Sequence, residues 1–300
     1  MVGKEQITTV SDGLLVLAPA KINLSLLIAG KRPDGFHEIE TLMAKVGFFD
    51  EILIQQGQNA GIELNCTGPC WAPEGKENLI YQACEILLAD CGSKSNLKIT
   101  LTKNIPAGSG LGSASSDAAA TLIGVNRLLA LAISGEKLSK MAGRLGSDVA
   151  FFLDGPLAYC TGRGEKIKKL NENFDFSALL ILPDISVPTE KVYANYSHNP
   201  AAYEKLKGAI NGHIRKNRID LVSKMCANVL ETSCFGLHKE LGELKDKIES
   251  LGIGPVCLSG SGSAMFSVFD ESDKEKAGEY QRILEQKIGC KSVIVSNNRW

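Results

Sequence analysis

The chain has 300 residues, enough for one large domain or two of moderate size. Its 44% hydrophobic and 22% charged residues match a globular protein with a sizeable core and exclude extended disorder. The 33 basic and 34 acidic side chains leave a net charge of −1, without the basic excess of a general nucleic-acid binder, so no nucleic-acid partner is expected.

Residues 1–13 are polar and lack the apolar run of a signal peptide. Residues 14–28 then read as a strand. Within them the alternation over 21–26 puts Lys21, Asn23 and Ser25 on one face and Ile22, Leu24 and Leu26 on the other. Arg32-Pro33-Asp34-Gly35 has the composition of a turn, and residues 41–55 of a second strand. A helix is expected over 77–89 and a strand over 96–102. After a glycine-rich loop comes a long helix with Leu122, Val125, Leu129 and Ala132 at helical spacing, then a shorter one over 136–145. Gly146-Ser147-Asp148 links tightly into an apolar segment at 149–153, followed by a turn at 154–156 and a strand at 157–161.

The second half starts with a buried strand at 178–182. Helices follow near 201–211, 220–231 and 237–251, then a glycine-containing segment at 256–269, a helix at 273–287 and a strand at 291–295. The order is β-α-α-β-α-β, an α+β pattern. The composition shift over 162–170 divides the chain into domains 1–160 and 161–300. The longest apolar stretch, 118–133, is interrupted by Asn126 and Arg127, so no segment reaches the ~18–20 residues of a membrane span. The nine cysteines form no paired CxxC sets, which argues against structural zinc. Cys84 and Cys257 lie in apolar runs and read as small core residues, and a reducing cytoplasm is the expected compartment.

The most informative segment is Pro106-Ala107-Gly108-Ser109-Gly110-Leu111-Gly112-Ser113-Ala114-Ser115-Ser116. Its glycines let the backbone turn tightly and approach a ligand, and its serines supply hydroxyls. The helix that follows begins with unpaired N–H groups and a dipole favouring an anion. Strand, glycine-rich loop and helix N-terminus together make a phosphate grip. The loop is neither GxxxxGK[ST] nor GxGxxG, and the chain carries no protein-kinase HRD or DFG string.

This loop resembles the Pro-x-x-x-Gly-Leu-Gly-Ser-Ser hallmark of the GHMP kinases (galactokinase, homoserine kinase, mevalonate kinase and relatives), with Ala114 in place of one serine. Ala18-Pro19-Ala20-Lys21-Ile22-Asn23-Leu24 is similar to the family's N-terminal motif, and Leu258-Ser259-Gly260-Ser261-Gly262-Ser263 to its C-terminal glycine motif. The resemblance implies two α+β lobes. The first would carry a mixed sheet and a left-handed-type βαβ nucleotide loop, and the second would be ferredoxin-like, with the site between them. It implies ATP with Mg²⁺ as cofactor, held by Lys103 and by residues 106–116, the magnesium ligand being Ser113 or Ser115 and no carboxylate identified. Asp148 would be the catalytic base and Lys21 its electrostatic partner. From the residues alone, Gly146-Ser147-Asp148 is equally a helix start with an aspartate cap, and Lys21 a solvent-facing strand residue.

The motifs around Arg32-Pro33-Asp34-Gly35-Phe36-His37-Glu38, Gly146-Ser147-Asp148 and Val187-Pro188-Thr189 with Tyr193 most resemble the branch acting on a cytidine-diphosphate-linked methylerythritol, on the non-mevalonate route to isoprenoid precursors. By that resemblance Phe36, where tyrosine is more usual, and Tyr193 would sandwich a cytosine, and His37 would read its polar edge. Asn23 would orient the acceptor, and Gly260, Ser261 and Gly262 would approach its phosphates. A monomer or weak homodimer without membrane association is expected. Two alternatives are a homoserine- or mevalonate-type kinase and a catalytically inactive nucleotide-binding regulator, the latter opposed by the presence of both Lys21 and Asp148. A third, a nicotinamide oxidoreductase, is opposed by the broken GxGxxG.

Overall fold

The computed structural model describes residues 5–170, 174–270 and 273–300; the first four residues of the polar N-terminal stretch lie outside the described residues. In chain order the first half comprises β1 (Ile7–Val10), β2 (Gly13–Lys31), β3 (His37–Gln56), β4 (Ile62–Thr67), α1 (Leu79–Asp90), β5 (Leu97–Thr102), α2 (Ser113–Leu128), α3 (Gly135–Leu145), α4 (Val149–Leu153), β6 (Leu157–Gly162) and β7 (Lys166–Lys169). The second comprises β8 (Phe176–Leu182), α5 (Thr189–Ala194), α6 (Pro200–Arg215), α7 (Ile219–Lys224), β9 (Ala227–Asn228), α8 (Glu231–Leu237), α9 (Lys239–Ser250), β10 (Cys257–Leu258), β11 (Met265–Asp270), α10 (Lys274–Lys287) and β12 (Lys291–Ser296).

β2 and β3 are long antiparallel strands that form the spine of an eight-stranded sheet, with β1, β5, β6 and β9 pairing against them and β4 and β7 at the margins. β2 is buried on both faces from Val16 to Ile28, which explains its near-continuous apolar run. Its polar side chains Lys21, Asn23 and Ser25 are therefore buried too, rather than facing solvent. α1–α4 cover one face of the sheet over a core that includes Ile52, Leu101, Leu122, Val125 and Phe151. In the second half β10, β11, β8 and β12 form an antiparallel sheet in that order, the strand order of a ferredoxin-like lobe, as expected. A shared core joins the two, with Ile22, Leu24 and Leu111 packing among Leu180, Ala264 and Phe266.

Three sequence expectations are corrected. The long helix stops at Leu128 and does not reach Ala132, because Ala130 and Ala132 take left-handed backbone angles. The Asn126 amide pins that reversal, donating to the Ile133 carbonyl and accepting from its N–H at 3.1 and 3.0 Å. The single helix expected over 220–231 is broken into α7, β9 and α8, because Ala227 and Asn228 pair in parallel with Ser25 and Leu26 of β2. Cys257 is not an unpaired core cysteine: it forms a disulfide with Cys226. Strands β1, β4 and β7 and helix α5 were not anticipated.

Candidate active site

Both glycine motifs meet over β2. Gly108, Gly110 and Gly112 all take left-handed φ angles, of 65°, 76° and 72°. Gly110 has no room for a side chain, since a Cβ there would lie 2.0 Å from the Ser259 carbonyl oxygen. Ser259 Oγ donates to the Gly110 carbonyl at 2.9 Å, and Ala264 N–H to the Ser109 carbonyl at 3.0 Å. Gly112 stands at the cap position of α2, so the first N–H groups of this 16-residue helix open beside the loop.

Lys21 lies beneath this junction. Its N–H donates to the Leu111 carbonyl at 2.9 Å, and its Nζ donates to Gly110 O at 2.6 Å and to Asn23 Oδ1 at 2.5 Å. Asn23 is fixed in turn by donating to Thr41 Oγ1 at 2.8 Å, and Thr41 donates to Ser25 O. Burial depresses the Lys21 ammonium below its ordinary value, while the Asp148 carboxylate pulls the other way. Gly260 permits this approach: its Cβ would sit 3.3 Å from Lys21 Nζ and 3.4 Å from Asn23 Oδ1. Asn228, which the sequence did not single out, holds that turn by donating to the Leu258 and Gly260 carbonyls at 2.9 and 2.8 Å.

Asp148 occupies the cap position of α4, but its side chain makes no capping bond, so the capping role that its sequence position allows is not taken up. The carboxylate instead faces the turn after β6, where a Cβ on Gly164 would lie 3.3 Å from Oδ1. Arg163, also missed from sequence, projects from that turn and places its guanidinium 4.7 Å from the Phe36 ring centre. Phe36 is 52% exposed, and His37 tilts against Tyr193 with ring centres 5.4 Å apart. Burial, with Lys31 adding to it, lowers the His37 imidazole below its usual value and favours the neutral ring. Burial pushes the Tyr193 phenol well up.

Lys21, Asn23, Phe36, His37, Asp148, Arg163 and Tyr193 line one cleft of about 970 Å³, together with the glycine loop, Ser115, Ser261 and the 73%-exposed Trp71. Ser261 and Thr189 share a hydroxyl–hydroxyl bond of 2.8 Å that ties α5 to the glycine turn. Lys103 sits under the loop with its ammonium held by two buried carboxylates, Asp50 at 2.6 Å and Asp117 at 2.5 Å, and by Ser113 Oγ. Burial opposes its charge, but the two carboxylates carry it above its ordinary value. Asp117 is pushed up by burial and by Asp50 despite Lys103. Asp50 also accepts from the N–H groups of Asn104 and Ile105 at 2.6 and 2.8 Å, so this cluster anchors the strand-to-loop junction. Ser113 is thereby engaged, whereas the Ser115 hydroxyl has no partner among the described residues and lines the cleft. Among the described residues no three His, Cys, Asp or Glu side chains group to hold a metal, and no helix is long and apolar enough to cross a membrane.

A helix start and a glycine loop open onto a cleft that also holds a lysine and an uncapped aspartate, an arrangement suited to phosphoryl transfer onto a small molecule. The models of the GHMP kinases N-terminal domain and C-terminal domain match residues 78–156 and 210–282. The 4-diphosphocytidyl-2-C-methyl-D-erythritol kinase of Bacillus cereus (strain B4264) is 37% identical over 258 residues, covering 85% of this chain and 88% of that protein. The protein of the same name from Syntrophomonas wolfei is 35% identical over 276 residues, covering 92% and 96%. A crystal structure of 4-(cytidine 5'-diphospho)-2C-methyl-D-erythritol kinase superposes with a TM-score of 0.74 at 30% identity, covering 95% of this chain and all of that one. The chain belongs to this family of kinases.

Proposed function

We propose that the protein transfers the γ-phosphate of ATP to the 2-hydroxyl of 4-diphosphocytidyl-2-C-methyl-D-erythritol. The observation that carries the reading is that one cleft holds both an anion-gripping loop and the Phe36, His37 and Tyr193 rings. The two ends are joined through the catalytic pair. Lys21 is bonded to the loop carbonyl of Gly110, and Asp148 abuts the turn whose Arg163 stacks on Phe36.

In this reading the α2 N-terminus and the backbone of residues 108–112 hold the triphosphate, so that the γ-phosphoryl lies in line with the acceptor hydroxyl. Asp148 accepts the hydroxyl proton as the new P–O bond forms. The Lys21 ammonium offsets negative charge on the attacking oxygen. Phe36 and Tyr193 take the two faces of the cytosine, and the neutral His37 can both donate to and accept from its edge. Mg²⁺ fits the free Ser115 hydroxyl better than the occupied Ser113, and would neutralise phosphate charge while taking most of its ligands from ATP and water. The seven unpaired cysteines accord with a cytoplasmic location, in which Cys226 and Cys257 would stand as adjacent thiols.

An ADP-release assay with ATP and Mg²⁺ tests this reading. Turnover with the cytidine-bearing acceptor and none with methylerythritol phosphate is expected. Equal turnover of both, or turnover only of homoserine or mevalonate, would contradict it.

A further inference from the structure

Lys45, on β3, is the cross-strand partner of Lys21 on β2. Directly opposed residues of antiparallel strands project from the same face, so two buried lysines stand side by side under the cleft. Lys45 is 1% exposed and stands with Phe151 and Phe266 among the largest side chains so fully buried. A charged side chain is an expensive way to fill a core, since an apolar residue of similar volume serves packing at least as well.

Every polar group of Lys45 is used. Its Nζ donates to the Phe152 carbonyl at 3.0 Å and to the Asp154 carbonyl at 2.6 Å, the orphan acceptors at the end of α4. Its N–H donates to the Pro156 carbonyl at 2.8 Å, and its own carbonyl accepts from Asn298 N–H at 2.9 Å. The charged groups around it are the Asp154 carboxylate, itself paired at 2.6 Å with Lys169 on β7, and Lys21 opposite it on β2. The Phe151 ring centre lies 5.8 Å from its Nζ.

α4 has five residues, too few to hold its own position. Asp148 stands at its amino end with a carboxylate that makes no hydrogen bond among the described residues. Its direction is therefore set by where the backbone of α4 is held. Phe152, whose carbonyl Lys45 grips, reaches back to the loop: its Cζ and the Lys21 Cγ each lie 3.0 Å from where a Cβ on Gly112 would be. The two neighbouring lysines thus address opposite ends of one short segment, Lys21 facing Asp148 and Lys45 binding residues 152–154.

We infer that Lys45 is a positioning residue for phosphoryl transfer: by holding the carboxyl end of α4 it fixes where Asp148 presents its carboxylate to the acceptor hydroxyl. The inference rests on Asp148 being the base. It differs from a packing role in what removal of the ammonium does, because misplacing a reacting group by about 1 Å costs on the order of 100-fold in rate while binding is spared.

The test compares wild type, Lys45→Met and Lys45→Arg by steady-state kinetics, thermal unfolding and amide hydrogen exchange. Lys45→Met is expected to lower kcat by about 10- to 100-fold with both KM values within about twofold, to unfold no earlier than wild type, and to speed exchange in residues 149–154. Lys45→Arg, which keeps donors and charge, is expected to recover most of the rate and the protection. If Lys45→Met does not fold, Lys45→Gln replaces it with the same expectations. A wild-type kcat in the Met or Gln variant, or a loss matched by equal rises in KM or by general destabilisation, would overturn the inference. Absence of turnover in wild type would instead strike the proposed reaction, and the exchange comparison would still decide whether Lys45 holds α4.

Discussion

Gly110→Ala is the most revealing single change, because the structure sets its magnitude. The new methyl would lie 2.0 Å from the Ser259 carbonyl oxygen and 3.1 Å from Gly262 N, on a backbone with φ of 76°. The loop must back away by at least about 1 Å to restore a tolerable contact. That retreat breaks the Lys21 ammonium and Ser259 hydroxyl bonds to Gly110 O and the Ala264–Ser109 bond. With the left-handed conformation imposed on alanine, the combined loss has an upper bound of about 5 kcal/mol. Part of this falls on Lys21 itself, so kcat/KM is expected to drop at least about 100-fold in an ADP-release assay. Two controls separate the causes. A Cβ on Gly108, with φ of 65°, meets the Ser186 hydroxyl at 3.3 Å and the Val187 carbonyl at an ordinary 3.9 Å, so Gly108→Ala is expected to cost about 1–2 kcal/mol of strain and less than about tenfold in rate. Gly208, exposed within α6 with nothing in the way, is expected to gain about 0.5–1 kcal/mol of stability as alanine, with wild-type kinetics. A Gly110→Ala enzyme within about threefold of wild type, or a Gly108→Ala enzyme equally impaired, would refute the interlocked-loop reasoning.

Other outcomes follow from the same geometry. Lys21→Met is expected to lower kcat by about 100- to 10,000-fold while leaving ATP binding within a few fold, measurable by nucleotide titration against single-turnover kinetics. Tyr193→Ala is expected to raise the acceptor KM about tenfold or more with little change in the KM for ATP, and Tyr193→Phe to be nearly silent, because stacking rather than the buried phenol does the binding. Burial depresses Lys45 from its ordinary 10.5 to about 7. Between those values the unfolded chain binds the extra proton, so the Lys45 contribution to stability rises with pH over that window and is lost as pH falls through about 7. Melting curves should therefore show wild type gaining on Lys45→Met between pH 7 and 9; a constant difference would contradict the depressed ionisation.

Much of the site was legible because its chemistry is written in contiguous motifs. Glycines spaced two apart leave few options for a loop between a strand and a helix, and the alternation over 21–26 put Lys21 and Asn23 on one face, as their mutual hydrogen bond requires. The alternation did not reveal that this face is buried, because burial of both faces of β2 depends on lobes brought together from distant sequence. Lys103 was grouped with the loop by proximity in sequence; its partner Asp50 lies 53 residues away, and no local pattern announces that pairing. Arg163, Asn228 and Lys45 escaped for the same reason, since each acts through contacts to backbone or rings far along the chain. Helix ends were misjudged where a tertiary contact intervened: β9 interrupts an apolar, helix-like stretch because β2 offers it a free edge.

The central claim is that this cleft moves the γ-phosphate of ATP to the 2-hydroxyl of the cytidine-bearing acceptor with Asp148 as base. Phosphorus NMR of the product mixture from wild type and from Asp148→Asn, both folded and both binding ATP, tests it most directly. A new phosphomonoester resonance on the methylerythritol unit with wild type, at least about 100-fold slower to appear with the variant, is the expected result. A phosphoester elsewhere on the acceptor, or formed equally fast by Asp148→Asn, would contradict the account.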